Sequence, residues 1–340
     1  MNKKMKMCSM LLGLALFAAC SSDDDVATPQ PKTYPLTIEV SENPLIPEGG
    51  AANAPATRAA ITTITSLKEF KLDYVYGSAH TTGGAAIIAQ TTDGKWKPKT
   101  GSTTGWPNGA VGTDHDYNVT WYAYTNGSFN LNGGSPYISF EAEEQANTQH
   151  DLLVSTASGT YADTGGHLFF AFDHACSALR FYVKKSTNLN DYKLSVSSIK
   201  LCNIIKKGDY YYNTSSWTLS GNRTEYTLYS GSAVTLGSRS TDYIPIYGTY
   251  GSAEAPYLFL IPQTLTAWNP SNITATDSNN TGSYLEITCT ITTQSSTPIY
   301  SGTAYIPFSA TLEKGIKYEN VNINIGWKTL YKSDGKLIFS

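Results

Sequence analysis

The chain has 340 residues, a net charge of −3 and only 15% charged side chains. That charged fraction is below the roughly 25% usual for soluble domains, and the slightly negative balance argues against nucleic acid as a partner. The 28 glycines, the 24 tyrosines and the frequent Thr and Ser residues favour pleated, half-buried surfaces joined by short turns. The composition therefore predicts an all-β protein.

The N-terminus has the layout of a secretory signal peptide. Three lysines precede an apolar stretch at residues 10–17, and the small pair Ala18-Ala19 stands directly before Cys20. The apolar stretch is shorter than the about 20 residues that a membrane-spanning helix needs. A small-small-Cys ending is that of a bacterial lipoprotein signal, in which the Cys becomes the lipidated N-terminus after cleavage.

We therefore predict a signal peptide at residues 1–19 and a lipidated tether at residues 20–34 that is anchored through Cys20. The acyl carbons of such an anchor would each contribute roughly 0.8 kcal/mol of membrane binding. The alternative is an ordinary signal peptide followed by a chance Cys.

A short strand is predicted at Thr37–Val40, where the apolar residues Leu36, Ile38 and Val40 alternate with polar ones. Residues 43–58 follow with no periodicity, three prolines and many alanines, so we expect them to be exposed and mobile. Arg58 ends this stretch. An Arg between a loose segment and a strand is a suitable protease site, or an unremarkable linker residue.

Many short strands are predicted farther along, each bounded by Gly, Asn, Asp or Ser turns. They lie at residues 68–76, 85–89, 118–125, 151–154, 168–172, 179–183, 194–202, 203–212, 224–228, 233–236, 244–247, 257–261, 284–292, 304–308 and 318–325. A turn is predicted at Lys207-Gly208-Asp209. Residues 141–150 read as a helical turn or a loop. No segment shows a sustained helical period, so the pattern predicts β-sandwiches. We place two domains at residues 35–166 and 167–340.

Enzyme and metal signatures do not emerge from the sequence. The five histidines show no zinc spacing, and His174 lies among alternating apolar residues, which favours a hydrogen-bonded structural role. A glycosidase carboxylate pair stays open for Glu141, Glu143 and Glu144, although a solvated surface is the simpler interpretation. Residues 277–282 resemble half of a calcium loop without its closing Glu, so we favour a plain turn. We predict no enzymatic activity, no cofactor and no metal.

Three cysteines remain in the mature chain: Cys176, Cys202 and Cys289. Each lies among apolar residues, so buried free thiols are favoured, although one disulfide could form outside the cytoplasm.

Several phrases together resemble the fimbrillin family, the lipoprotein pilins of Bacteroidota that build type V pili. They are the Cys and Asp run at residues 20–25, Thr57–Ala60, TWYAYTNGSF at 120–129, DLLVSTA at 151–157, FDHACSALRFYV at 172–183, YLFLIPQTLT at 257–266 and LEKGIKYENVNINIGW at 312–327. The Asp run also resembles the surface-export signal of these lipoproteins, with a solvated tether as the alternative.

The resemblance implies two transthyretin-like Greek-key β-sandwich domains in series after the lipoprotein signal peptide. It also implies localisation as an outer-membrane lipoprotein of the cell-surface fimbrium, cutting between Arg58 and Ala59 by an Arg-specific protease, and polymerisation with other pilin subunits by strand exchange.

Strand exchange has a physical basis in these residues. A sandwich that loses its first strand exposes an apolar groove with unpaired backbone edges, which can take up a strand of another chain. The removable strand would carry Leu36, Ile38 and Val40. The candidate donor is the C-terminal cluster Leu337-Ile338-Phe339. The alternative is that this cluster completes the last hairpin of its own domain.

We therefore predict a structural subunit of a surface fimbria that supports adhesion, in a stalk, tip or anchor position. The alternative is a surface lipoprotein that binds a glycan or another host or bacterial surface ligand. Trp106 and Trp217 lie in Gly-, Thr- and Ser-rich segments, where exposed rings could stack on sugars; rim packing is the other explanation for these rings.

Overall fold

The structure is a computed structural model that describes residues 34–48, 67–99, 105–112, 116–144, 149–238, 244–246 and 257–338. The strands in these residues are β1 Thr37–Glu42, β2 Ile46–Pro47, β3 Glu69–Tyr76, β4 Thr81–Gln90, β5 Trp96–Pro98, β6 Val119–Tyr124, β7 Ser128–Asn132, β8 Ser135–Glu141, β9 Leu153–Gly159, β10 His167–His174, β11 Ser177–Lys185, β12 Tyr192–Tyr211, β13 Ser216–Thr235, β14 Ile244–Ile246, β15 Leu258–Leu260, β16 Thr264–Leu265, β17 Tyr284–Thr293, β18 Pro298–Pro307, β19 Ala310–Thr311 and β20 Ile316–Ile325.

Helical structure is limited, within the described ranges, to the four-residue helix α1 at Tyr161–Thr164 and two 3₁₀ turns at Asn108–Ala110 and Thr187–Leu189. The all-β class is confirmed. None of the described helices is long and apolar enough to cross a membrane.

The first sheet has the order β1-β10-β9-β6-β3-β4-β5 and closes on itself where Ile38 of β1 meets Trp96 of β5. Alternation explains its core. On β10 the even-numbered residues from Leu168 to His174 are buried, and the odd-numbered ones lie outward except for the half-buried Ala171. Such period-two burial follows from the pleat, which sends successive side chains to opposite faces. The apolar side chains from these strands form one enclosed cluster.

Two further sheets enclose the largest apolar cluster. One has the order β14-β11-β20-β2, with β15 also on β11, and the other has the order β18-β17-β12-β8-β7, with β13 also on β12. The strands β12 and β13 are each 20 residues long. The strands predicted at residues 224–228 and 233–236 therefore belong to the single long strand β13, apart from its last position. The turn predicted at Lys207-Gly208-Asp209 is wrong, because these residues lie within β12 and pair with β8 on one side and β13 on the other.

Strands from both sides of His167 share these sheets. β8 pairs with β12 from Glu141↔Lys207 to Tyr137↔Tyr211, and β2 pairs with β20. A separate apolar cluster likewise mixes residues of both halves, including Leu45 and Phe259. The domain boundary near His167 stays a prediction.

Two local expectations need correction or completion. Residues 43–58 were expected to be exposed and mobile, but within them Leu45 is buried and Ile46–Pro47 is a strand. A two-residue strand is too short to produce a period, so the pattern could not reveal it. Of residues 141–150, Glu141 ends β8, and the other described residues, 142–144 and 149–150, are not helical, which favours the loop among the two alternatives.

Candidate functional site

The first strand lies between the edges of two others. Its neighbour on one side is β10, with which it runs parallel over six residue pairs from Thr37↔His167 to Glu42↔Phe172. On the other side it meets β5 at the single pair Ile38↔Trp96. The Thr37 N–H also donates to the Gly166 carbonyl at 2.9 Å. Without β1, the edges of β10 and β5 would both lack a partner here.

The inward face of β1 carries a regular pattern. Ile38 is 7% exposed and belongs to the first apolar cluster, and Leu36 and Val40 are half-buried against the same cluster. The residues between them point outward. The prediction of a strand at Thr37–Val40 is confirmed, and the strand extends to Glu42.

The segment that follows β1 continues into the second half of the molecule. Leu45 is 6% exposed in the mixed cluster, and Ile46 pairs in parallel with Ile316 of β20. The Ile46 N–H donates to the Gly315 carbonyl at 2.8 Å. We call residues 34–48 the N-terminal segment; it contributes a strand to two sheets and side chains to two apolar clusters.

A buried charged group lies at the Glu42 end of β1. The Glu42 carboxylate is 3.6 Å from Nε2 of His174, whose side chain is only 4% exposed. The other ring nitrogen, Nδ1, is hydrogen-bonded to the buried carboxylate of Asp151, which precedes β9. The structural, hydrogen-bonded role expected for His174 is what the geometry shows.

The carboxylates and the imidazole of this group shift one another's pKa values. Burial by itself lowers the pKa of His174, but the hydrogen bond and charge of Asp151, together with the charge of Glu42, raise the pKa above its usual value. Burial raises the pKa of Glu42, and His174 opposes that shift. His174 is thus favoured as a cation between two carboxylates.

Sequence analysis missed Glu42. The signal was present, because Glu42 continues the period-two series of Leu36, Ile38 and Val40. Because an acidic residue normally ends an inward-facing apolar pattern, the sequence predicts that the series ends at Val40 and does not reveal Glu42 as its next member. Its partner His174 lies 132 positions away in sequence, on β10, and only the parallel pairing of β1 with β10 brings the two together.

The two tryptophans proposed for ligand contact are not exposed platforms. Trp106 is 1% exposed in the first apolar cluster, with its ring 5.7 Å from that of Trp121, so the expectation of an exposed ring is wrong there. Trp217 is half-buried, packs on Phe140 and donates its Nε1–H to the Ala175 carbonyl at 2.8 Å. A turn-rich sequence around an aromatic residue does not show on which side of the backbone the ring packs.

The described part of the C-terminal segment forms a small hairpin. Tyr331 bridges both Tyr305 of β18 and Leu337, and the Ile338 N–H donates to the Leu330 carbonyl at 3.0 Å. Leu337 and Ile338 are half-buried, and Ile338 packs against the largest apolar cluster. This arrangement is the last hairpin of its own fold, one of the two interpretations left open above.

Other predicted site residues lie outside the described residues: Cys20, Arg58, Ala59 and Phe339. Their roles stay predictions.

The remaining candidates for chemistry are occupied by structural contacts. Among the carboxylates considered for a glycosidase pair, Glu141 and Glu144 both form ion pairs with Lys206, at 3.0 and 2.7 Å. Asp277 caps its own turn by accepting from the Asn279 N–H at 2.8 Å. The cysteines at 176, 202 and 289 are free and buried, as favoured. The described residues contain no His, Cys, Asp and Glu cluster that could hold a metal ion.

Comparison with solved structures identifies the kind of fold. The chain is similar to a fimbrial protein from Bacteroides vulgatus, with 17% identity over 87% of this chain and 97% of that chain and a TM-score of 0.52. It also matches the fimbrial anchor protein Mfa2 from Porphyromonas gingivalis, with 11% identity over 78% and 81% of the two chains and a TM-score of 0.33. No curated protein matches the chain significantly. The fold is the β-sandwich fold of a fimbrial protein.

The sequence itself defines the family. A sequence model described as fimbrillin-like matches residues 57–336, which is most of the chain. The chain belongs to the fimbrillin-like family, and the resemblance inferred from its motifs is confirmed. Membership makes it a fimbrial, adhesion-related protein of the cell surface.

Proposed function

We propose that this protein is a non-enzymatic subunit of a surface fimbria that polymerises by exchange of the N-terminal segment for a strand of a second subunit. It reaches the surface as an outer-membrane lipoprotein anchored through Cys20, and an Arg-specific protease cuts it between Arg58 and Ala59. The observation that carries the proposal is the position of β1, which fills an apolar trough between two strand edges and precedes the cut.

The energies involved are suitable for a removable strand. Burial of Ile38 with partial burial of Leu36 and Val40 contributes on the order of 3–6 kcal/mol, before the cost of ordering the strand. A burial free energy of that size keeps β1 in place while it is covalently tethered to the rest of the chain. Once the tether is cut, a better-fitting strand from a second subunit can replace it.

The N-terminal segment also contributes Leu45 and Ile46 to the second half of the fold. Its departure would therefore open a trough in the first sheet and an edge on β20 at the same time. A donor strand that is long enough would cover both, which increases the area buried at each subunit junction.

The C-terminal cluster Leu337-Ile338-Phe339 is this chain's own candidate donor. Leu337 and Ile338 are half-buried and the Ile338 N–H donates to the Leu330 carbonyl at 3.0 Å, so a donor role requires these contacts to break first. Donation in a chain of identical subunits and donation by a different subunit are both compatible with a fimbria.

Replacement of Arg58 tests the proposal in the producing bacterium. Arg58→Ala should leave the protein on the surface with residues 37–42 retained, and the high-mass ladder of detergent-resistant polymers should disappear from gels. Arg223→Ala, which removes an exposed Arg outside the N-terminal segment, is the matched control and should leave the ladder intact. A ladder of unchanged intensity in Arg58→Ala would contradict the proposal.

A further inference from the structure

The trough under β1 is apolar along most of its length and charged at one end. The inward-facing positions are Leu36, Ile38, Val40 and then Glu42. The first three meet the apolar cluster, whereas the fourth meets the imidazole of His174. A strand that occupies this trough therefore presents three apolar side chains and one acidic side chain at alternating positions.

The charged end does not depend on β1 for its existence. His174 belongs to β10 and is held through Nδ1 by Asp151, so both residues remain when the N-terminal segment leaves. The departure of Glu42 would leave the Nε2 side of a mostly buried imidazole without its carboxylate. Asp151 still balances the charge of the imidazole, but the Nε2–H group then needs another acceptor, because an unpaired donor in a nearly dry site is costly.

The groups that stay behind do not supply a new partner for Nε2, because the backbone of Asn43, which also hydrogen-bonds His174, leaves with the N-terminal segment. The charged side chains that face His174 are Asp151 on the β9 side and Glu42 on β1. Asp173, next to it on β10, points outward and accepts a hydrogen bond from the Asn43 side chain at 2.8 Å. With Glu42 absent, the Nε2 side is open to whatever strand enters.

We propose that His174 makes the trough selective for an incoming strand of the form apolar-x-apolar-x-apolar-x-acidic, in which the carboxylate takes the place of Glu42. This inference rests on the proposed function and deepens it by naming the chemistry of the partner strand. A strand that is apolar throughout would leave the Nε2 side of His174 without a carboxylate, with Asp151 as its one remaining charged neighbour, and a basic residue at that position would be repelled.

The candidate donor within this chain fits the pattern only in part, because Leu337 and Phe339 supply two of its three alternating apolar residues. Residues 336–340 read Lys-Leu-Ile-Phe-Ser and carry no acidic side chain. The occupant favoured by His174 is therefore a strand of a different subunit that has the acidic residue. Under this inference, the C-terminal segment of this chain is the weaker ligand for its own trough.

Peptide exchange into the cut chain tests the inference. The full chain receives a site for a sequence-specific protease in place of residues 52–58, is cut there, and is then mixed with fluorescent peptides of residues 34–48. Anisotropy reports binding, and native mass spectrometry reports loss of the original segment.

Four peptides are compared: the natural sequence, Glu42→Gln, Glu39→Gln and residues 328–340. Glu39→Gln is the matched control, since it removes the same charge from an outward-facing position of the same strand.

The natural peptide should exchange, Glu42→Gln should bind about 5- to 30-fold more weakly, and Glu39→Gln should stay within about twofold. The peptide of residues 328–340 should bind more weakly than the natural peptide. A His174→Gln chain should lose the distinction between the natural and Glu42→Gln peptides; the peptide series itself does not depend on that variant folding.

Equal affinity of the natural and Glu42→Gln peptides would overturn the selectivity and leave strand exchange intact. Failure of every peptide to exchange would refute strand exchange and the selectivity with it.

Discussion

Truncation of Ile38 is the sharpest test of whether β1 is held by its apolar face. Ile38 is 7% exposed and is the one buried residue of β1. Replacement with Ala removes three carbons at about 0.8 kcal/mol each, or about 2.4 kcal/mol, and the cavity left behind adds to that loss. Opening of β1 should then be favoured by about 50-fold.

Hydrogen exchange followed by mass spectrometry measures this local opening directly. Peptides that cover residues 37–42 of Ile38→Ala should exchange about 50-fold faster than in the natural chain, and those of β10 should follow, since β10 loses its parallel partner. Ser41→Ala, at an exposed position of the same strand, is the control. Exchange in Ile38→Ala no faster than in Ser41→Ala would refute the claim that the apolar trough holds β1.

Three further outcomes are expected. Gly166 has φ +80°, and a Cβ there would lie 2.2 Å from the Pro35 carbonyl oxygen. A non-Gly residue in a left-handed conformation costs about 1–2 kcal/mol, so Gly166→Ala should destabilise the attachment of β1 by at least that amount, as measured by the same hydrogen-exchange experiment. Because the pKa of His174 is raised in the folded chain, its contribution to the free energy of unfolding is complete below about pH 6.5 and is lost as the pH rises through the raised pKa; denaturant unfolding should show this loss toward alkaline pH, and His174→Gln should remove this part of the pH dependence. Burial raises the pKa of Cys202 to about 12, so this thiol should resist alkylation at pH 8 until the chain is denatured.

Each of these has a result that would count against it. Unchanged exchange in Gly166→Ala would show that the entrance to β1 tolerates a side chain. The same pH dependence of unfolding in His174→Gln as in the natural chain would contradict the contribution assigned to His174. Rapid alkylation of Cys202 in the native chain would mean that the thiol is not enclosed as the structure shows.

Sequence analysis predicted the elements whose burial alternates over many residues. The segment around Phe170 and the strand at Thr37–Val40 are examples, because the pleat converts burial on one face into a period of two. The sequence also predicts a structural role for His174, because a polar residue buried among alternating apolar residues is usually hydrogen-bonded.

The missed features depend on long-range pairing. Ile46–Pro47 is too short for a pattern, and it is a strand only because β20 lies beside it. Trp106 lies in a turn-rich stretch whose local sequence does not reveal that the chain folds inward onto Trp121. The Glu42–His174 contact needs the parallel register of β1 with β10, and no local signal encodes that register.

The composition of the assembled fibre tests the central claim most directly. Fibres sheared from the bacterial surface can be dissociated and their subunits analysed by N-terminal sequencing and intact mass. The account predicts subunits that begin at Ala59 and lack residues 37–42. In fibres that are chemically cross-linked before dissociation, it predicts a cross-link between β10 and a strand of another subunit. Subunits that still carry residues 37–42 within the fibre would contradict it.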